Sequence, residues 1–285
     1  MTETGEPTEA RRFIHGMWAN VATAWGTQAD AVDERSAMVT RRMLDGAAVH
    51  SGDRVLELAC GPGGAGLAAA ERVGAGGEVV LSDVVPEMVE IASGRATAHA
   101  LTNVRAEVLD LENINQPNEI FDVVLCREGL MFALDPARAA GEMLRVLRPQ
   151  GRLAVAVWGP RSENPWLGLL LDAITEVTGL VVPPPGVPGP FALADDDRLG
   201  KVFADAGLGT LSIERVAAPL KAPSFEAWWT RQLTIAGPVA AIVNGLDDST
   251  RARLRDCTRA AVSPYATNGA LELPGQALVL TGRRP

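Results

Sequence analysis

The sequence predicts an α/β fold: a doubly wound, mostly parallel sheet with helical additions toward both ends of the chain. Three observations carry this. Between residues 51 and 160, short apolar runs alternate with helix-like segments, the βαβ rhythm of a parallel sheet. The runs Val123-Val-Leu-Cys126 and Leu153-Ala-Val-Ala-Val157 are continuously apolar, as strands covered on both faces are. The run Val55-Leu-Glu-Leu58 breaks into Ala59-Cys-Gly-Pro-Gly-Gly64, a strand entering a glycine turn before a helix.

Each segment follows in order. Residues 1 to about 10 are polar and acidic and read as a disordered tail. Residues 11–50 read as an N-terminal helical cap, with Trp18 and Trp25 one heptad apart on a shared face. The core occupies 51–160, with strands beginning after Asp53 and then at 78–83, 104–110, 121–126 and 153–158. Pro86 opens a helix at its first turn, where proline is tolerated. A helix over 136–147 leaves through the turn Arg148-Pro-Gln-Gly151. Residues 161–223 supply a lid loop and the remaining core elements. A helix over 165–178 stops at Gly179, and the proline run over 181–190 is neither helix nor central strand. Asp195 then caps a helix reaching Gly207, and 211–216 is a strand. Residues 224–268 form a helical cap insert, and 269–285 return the last of seven strands to the core.

The bulk properties exclude several classes. The chain has 285 residues and a formal net charge of −9, which argues against a nucleic-acid surface. Arg145, Arg148 and Arg152 then read as a solvated local patch. No apolar run is long enough to span a bilayer, and the N-terminus lacks the basic start and apolar centre of a signal peptide. Cys60, Cys126 and Cys257 are too scattered for a disulfide framework, so a reduced, cytoplasmic setting is expected. No spacing suits zinc, and no metal is expected.

Glu57-Leu-Ala-Cys-Gly-Pro-Gly63, Leu81-Ser-Asp83 with Met88, Val108-Leu-Asp110, Phe121 to Gly129, and Leu144 to Gly151 occur in a fixed order at strand ends. This order resembles the class I S-adenosylmethionine-dependent methyltransferases, in particular the small-molecule branch related to ubiquinone and menaquinone methyltransferases. The resemblance covers about residues 40–160. It implies a seven-stranded Rossmann-like methyltransferase fold and S-adenosylmethionine as cofactor. Gln150 departs from it, since a second glycine is usual there.

The resemblance assigns Glu57, Ala59, Gly61, Pro62 and Gly63 to the methionine end of the cofactor. Glu57 would order the loop or reach the amino group, and a carboxylate there suits a cationic ligand better than pyrophosphate. Asp83 would accept the ribose hydroxyls. Val84 and Met88 would flank the adenine, Asp110 would accept its amino group, and the Leu111 amide would meet a ring nitrogen. Arg127 and Glu128 fall between cofactor and acceptor, where Arg127 either orients an anionic acceptor or pairs with Glu128.

Methyl transfer is an in-line displacement that rewards proximity, and an alcohol or unactivated phenol would also want a base. Of the three histidines, His50 precedes the first strand and His99 ends a surface helix, so only His15 lies in the expected cap. His15, Arg127 and Glu128 are the weak catalytic candidates. The lack of a convincing base favours an acceptor that is already nucleophilic. Trp18, Trp25, Phe132, Phe191, Trp228 and Trp229 are the expected aromatic lining of its pocket. The expected function is methylation of a small, largely apolar metabolite at oxygen or carbon, and a homodimer is an open option. The alternatives are a binding or regulatory protein that holds S-adenosylmethionine without turnover, and a nicotinamide-dependent oxidoreductase. The second lacks the dinucleotide glycine spacing.

Overall fold

A computed structural model describes residues 9–184 and 187–285. Three helices come first: α1 (Glu9–Ala19), α2 (Ala22–Thr27) and α3 (Ala29–Gly46). The expected tail therefore falls mostly outside the described residues, and its last two positions already belong to α1. Trp18 and Trp25 do not share one helix, because the chain breaks at Asn20 and Val21 between α1 and α2. Their rings nevertheless meet edge-on at 6.0 Å.

The alternating core then runs β1 (Arg54–Glu57), α4 (Gly64–Val73), β2 (Glu78–Asp83), α5 (Pro86–Ala98), β3 (Val104–Val108), β4 (Phe121–Arg127), α6 (Pro136–Val146) and β5 (Leu147–Trp158). Pro86 and Pro136 sit in the first turns of their helices, and the Asp135 carboxylate accepts from the Arg138 amide to cap α6. Next come α7 (Pro165–Thr178), α8 (Asp196–Asp205), β6 (Leu211–Ala217) and β7 (Leu220–Ala222). Gly179 ends α7 in the left-handed conformation, and Asp195 caps α8 through the Arg198 amide. The chain closes with α9 (Phe225–Ile235), α10 (Gly237–Asn244), α11 (Asp248–Val262), β8 (Ala266–Thr267), β9 (Ala270–Leu273) and β10 (Gln276–Arg283).

Seven strands form one sheet in the order β3-β2-β1-β4-β5-β10-β6. The first five are mutually parallel, and β10 inserts antiparallel between β5 and β6. Its centre is fully buried: Val55, Leu56, Val80, Leu81, Val124, Leu125 and Val155 expose nothing. The order reverses between β1 and β4, and ligands of doubly wound folds sit beyond the strand C-termini at such a switch point.

Three details differ from expectation. β3 stops at Val108, so Asp110 lies in the following loop, bridged to Asn113. Residues 148–151 are counted with β5, but the pairing shifts register there and Gln150 adopts φ +63°, the conformation for which glycine is favoured. A second, three-stranded sheet, β7-β9-β8, flanks the α9–α11 helices. Within the proline loop, Pro185 and Gly186 lie outside the described residues.

Candidate active site

A cleft of about 1030 Å³, measured to its open mouth, lies over the C-terminal ends of β1, β2 and β4 and under α1 and α2. That volume takes in solvent at the mouth; the lining of bare backbone, carboxylates and aromatic rings is what marks a small-ligand cleft.

The glycine loop forms its floor. Glu57, at the end of β1, is buried, and its Oε2 accepts a hydrogen bond from the Gly66 amide at 2.7 Å. The acid thereby ties the start of α4 to β1. A Cβ on Gly66 would approach Oε2 to 2.4 Å, so this contact needs glycine. Burial pushes the Glu57 carboxyl up to about 8, although Arg127 and the Gly66 amide oppose the rise. Gly61 faces the cleft at φ +51°, and a Cβ there would meet nothing within 4 Å. The loop thus presents bare backbone to open space. Ala59 and Pro62 also line the cleft, whereas Glu57 and Gly63 lie behind it.

Asp83 ends β2 on the same floor. Its Oδ2 accepts from the Gly61 amide at 2.9 Å and its Oδ1 from the Val85 amide at 3.0 Å. Burial raises its pKa, and the backbone donors hold that rise back. Each oxygen retains a lone pair for a ligand hydroxyl. Val84 and Met88 continue the wall.

Asp110, Leu111 and Glu112 form the far end. Asp110 Oδ1 accepts from the Glu112 amide at 2.8 Å, and its other oxygen pairs with Arg11 of α1. Arg11 also reaches Glu112 at 2.6 Å. Glu112 is buried and accepts from the Leu134 amide at 2.6 Å, fixing the loop after β4. Neither Arg11 nor Glu112 carried a sequence signal, because their pairing joins positions about a hundred residues apart. His15 lines this end, and the charges around it are Asp110, Arg11 and Glu112. Burial lowers its pKa despite the two acids. It stands with the β3-side acids, apart from Arg127 and Glu128.

At the end of β4, Arg127 is enclosed and donates to Thr40 Oγ1 at 2.7 Å and Asp33 Oδ1 at 3.0 Å, both on α3. Burial works against its charge, but Glu128, Asp33 and Glu57 outweigh it and lift the pKa. Arg127 therefore fastens α3 to the sheet. Glu128 follows at φ +61° and lines the cleft. Its Oε1 is buried with no hydrogen-bond partner among the described residues. Burial raises its pKa, with Arg127 and then Arg35 in opposition.

Trp18, Trp25 and Phe132 form the aromatic wall, with Trp18 edge-on to Phe132 at 4.8 Å. Phe191, Trp228 and Trp229 do not line the cleft. Trp228 is fully buried and Trp229 stacks on Phe225 at 5.9 Å, so both serve the packing of α9, while Phe191 packs on the main core.

Comparison with known proteins places this geometry. A family profile described as "Methyltransferase domain" matches residues 49–176. The uncharacterized protein Rv1403c of Mycobacterium tuberculosis is 30% identical over 228 residues, covering 76% of this chain and 77% of that one. The ubiquinone/menaquinone biosynthesis C-methyltransferase UbiE of Azotobacter vinelandii is 36% identical over 126 residues, covering 44% of this chain and 49% of that one. Among solved structures, the YcgJ protein of Bacillus subtilis superimposes with a TM-score of 0.58 at 21% identity, covering 86% of this chain and 97% of that one. That likeness concerns the fold.

Proposed function

The chain belongs to the class I S-adenosylmethionine-dependent methyltransferases, and on that premise we propose that it methylates a small, largely apolar acceptor at oxygen or carbon. It is an enzyme with a small-molecule substrate, and S-adenosylmethionine supplies an activated methyl on a sulfonium sulfur. Kinship to the ubiquinone/menaquinone branch is part of the proposal, supported by the ordered motifs and by the UbiE match over about half of either chain.

One observation carries the reading: open backbone at Gly61, the Asp83 carboxylate and the Asp110 carboxylate lie in sequence along one cleft. These residues fit the cofactor. The Ala59–Pro62 backbone would take the methionine end, with the Glu57 carboxyl beneath it. Asp83 would accept the ribose hydroxyls through its remaining lone pairs. Val84 and Met88 would flank the adenine, and Asp110 with the Leu111 amide would read its edge. Because Arg11 holds Asp110 in this state, the adenine amino group would share or displace that ion pair.

Arg127 is spent on α3 and is a positioning residue. Glu128 lines the cleft with a buried Oε1 that has no partner among the described residues, and its raised pKa suits a group that would receive a proton from the acceptor. It is our candidate for the base that no histidine offered, and it weighs against a binding protein without turnover. Trp18, Trp25 and Phe132 would exclude water.

Calorimetry with S-adenosylhomocysteine, followed by transfer of labelled methyl from S-adenosylmethionine to a panel of phenols, carboxylic acids and enolisable ketones, tests this. Cofactor binding with methyl transfer to at least one class is expected. Absence of binding would sink the proposal, and binding without any transfer would revive the regulatory alternative.

A further inference from the structure

Beyond Glu128, toward Trp158 at the end of β5 and away from Asp83 and Asp110, one cation goes unpaired. Arg35 of α3 lies over the Trp166 ring at 3.9 Å and the Trp158 ring at 4.7 Å. Among the described residues its only hydrogen bonds are long ones, at 3.4 Å, to the Ala218 carbonyl. Arg231 of α9 has a buried Nε with no acceptor, and among the described residues it forms no salt bridge. The two guanidinium groups are near enough to repel each other. The neighbouring Gln232 amide bonds the Trp166 carbonyl at 2.5 Å, which sets α9 against the helix that carries the ring under Arg35.

Around the end of β4, Arg127 has Glu128, Asp33 and Glu57 as charged neighbours and Arg35 has Glu128, whereas no carboxylate among the described residues forms a salt bridge with Arg231. The Arg231 charge is thus left without an anionic partner at a half-buried position. A buried cation without a counter-charge is costly, and proteins keep one where a ligand completes the pair.

We propose that Arg231 and Arg35 form a subsite for one anionic group, carboxylate-like, on the acceptor. The acceptor is then an apolar body with an acid at one end, held with its reacting atom toward Glu128. Arginine suits this role because its planar fork binds a carboxylate through paired hydrogen bonds. Burial and then the Arg231 charge push the Arg35 pKa down, against Glu128, to about 9, the strain an incoming anion would relieve. Arg35 and Arg231 both keep some accessible surface, so a ligand group can reach them. The cofactor's own carboxylate is the other possible source of this chemistry. The subsite's position past β4, on the side opposite Asp83, favours the acceptor.

This inference rests on the methyltransferase reading, and the experiment separates the two. Binding of 2-naphthoate and 2-naphthamide is measured by calorimetry to the wild-type protein saturated with S-adenosylhomocysteine, with benzoate and benzamide as a smaller pair. The acids should bind about tenfold or more tighter than their amides. R231Q should erase that preference while leaving S-adenosylhomocysteine affinity unchanged, and R231K should retain part of it. Equal binding of acid and amide in the wild type, or no detectable binding of either, overturns the subsite while the cofactor result stands. A loss of S-adenosylhomocysteine affinity in R231Q overturns it too, by assigning the charge to the cofactor. Failure of the wild type to bind S-adenosylhomocysteine removes both readings.

Discussion

Replacing Glu57 with glutamine should make the protein more stable at alkaline pH while leaving it nearly unchanged at pH 5. The side chain is buried at the end of β1, with Arg127, Asp33 and Asp83 as its charged neighbours. Burial moves its pKa from 4.5 to about 8 in the folded protein. Below pH 4.5 the carboxyl is protonated both folded and unfolded, and its stabilising contribution is fully present. As pH rises, the unfolded chain gives up its proton first, so folding is penalised by about 1.4 kcal/mol per pH unit until the folded group ionises near 8. The full loss is on the order of 5 kcal/mol. Glutamine cannot titrate, yet its carbonyl still accepts from the Gly66 amide. Urea denaturation of both proteins at pH 5 and pH 8.5 measures the difference. The variant should match the wild type within about 1 kcal/mol at the lower pH and exceed it by a few at the higher. Asp83 and Glu128 titrate in both proteins, so the difference isolates Glu57. Parallel pH dependences would refute the argument. The same logic reaches the cofactor: the ammonium group of S-adenosylhomocysteine favours ionised Glu57, so binding at pH 7 should release more protons in the wild type than in the variant, and equal release would refute this.

Four further outcomes follow from the site. Asp83→Asn should weaken S-adenosylhomocysteine binding by about tenfold or more, the worth of hydrogen bonds to a charged acceptor. Asp83→Ala should in addition cost about 2 kcal/mol or more of fold stability, because the Gly61 and Val85 amides lose their acceptor; calorimetry and denaturation separate the two effects. Arg127→Met should lower stability by about 3 kcal/mol, since it breaks an enclosed pair with Asp33 and the bond to Thr40, and chemical denaturation reads this directly. Glu128→Gln should reduce turnover on a hydroxyl or carbon acceptor by about 10²–10⁴ while S-adenosylhomocysteine affinity stays within about twofold, and unchanged turnover would remove Glu128 as the proton acceptor.

Much of this site is legible in the chain because its parts are local. A strand end, a glycine turn and a carboxylate one or two residues past a buried run are each encoded within ten residues, which is why Glu57, Gly61, Asp83 and Asp110 could be placed together. Gly179 and Asp195 mark helix ends for the same reason, since a left-handed cap or a side-chain cap leaves its residue type in the sequence. The small β7-β9-β8 sheet left no comparable mark. Its strands are two to four residues long and pair across the whole α9–α11 insert, too short for an alternating pattern. The Asn20–Val21 break was hidden because Trp18 and Trp25 keep helical spacing across it.

The acceptor side was illegible for a deeper reason. Trp228 and Trp229 drew attention as aromatic residues in a cap, yet one cannot tell from a tryptophan whether its ring faces a ligand or its own helix's packing. Arg35 and Arg231 drew none, because an arginine on an amphipathic helix is ordinarily solvated. What gives them meaning is the company they lack. Trp158 and Trp166 lie against Arg35, and among the described residues no carboxylate pairs with Arg231 and no donor reaches Glu128 Oε1. A cofactor site recurs across a family and leaves a motif, whereas an acceptor site is assembled from distant residues whose only common property is an unmet charge. If the anion preference of R231Q and wild type differs as expected, that unmet charge, rather than the tryptophans, is where the specificity of this enzyme is written.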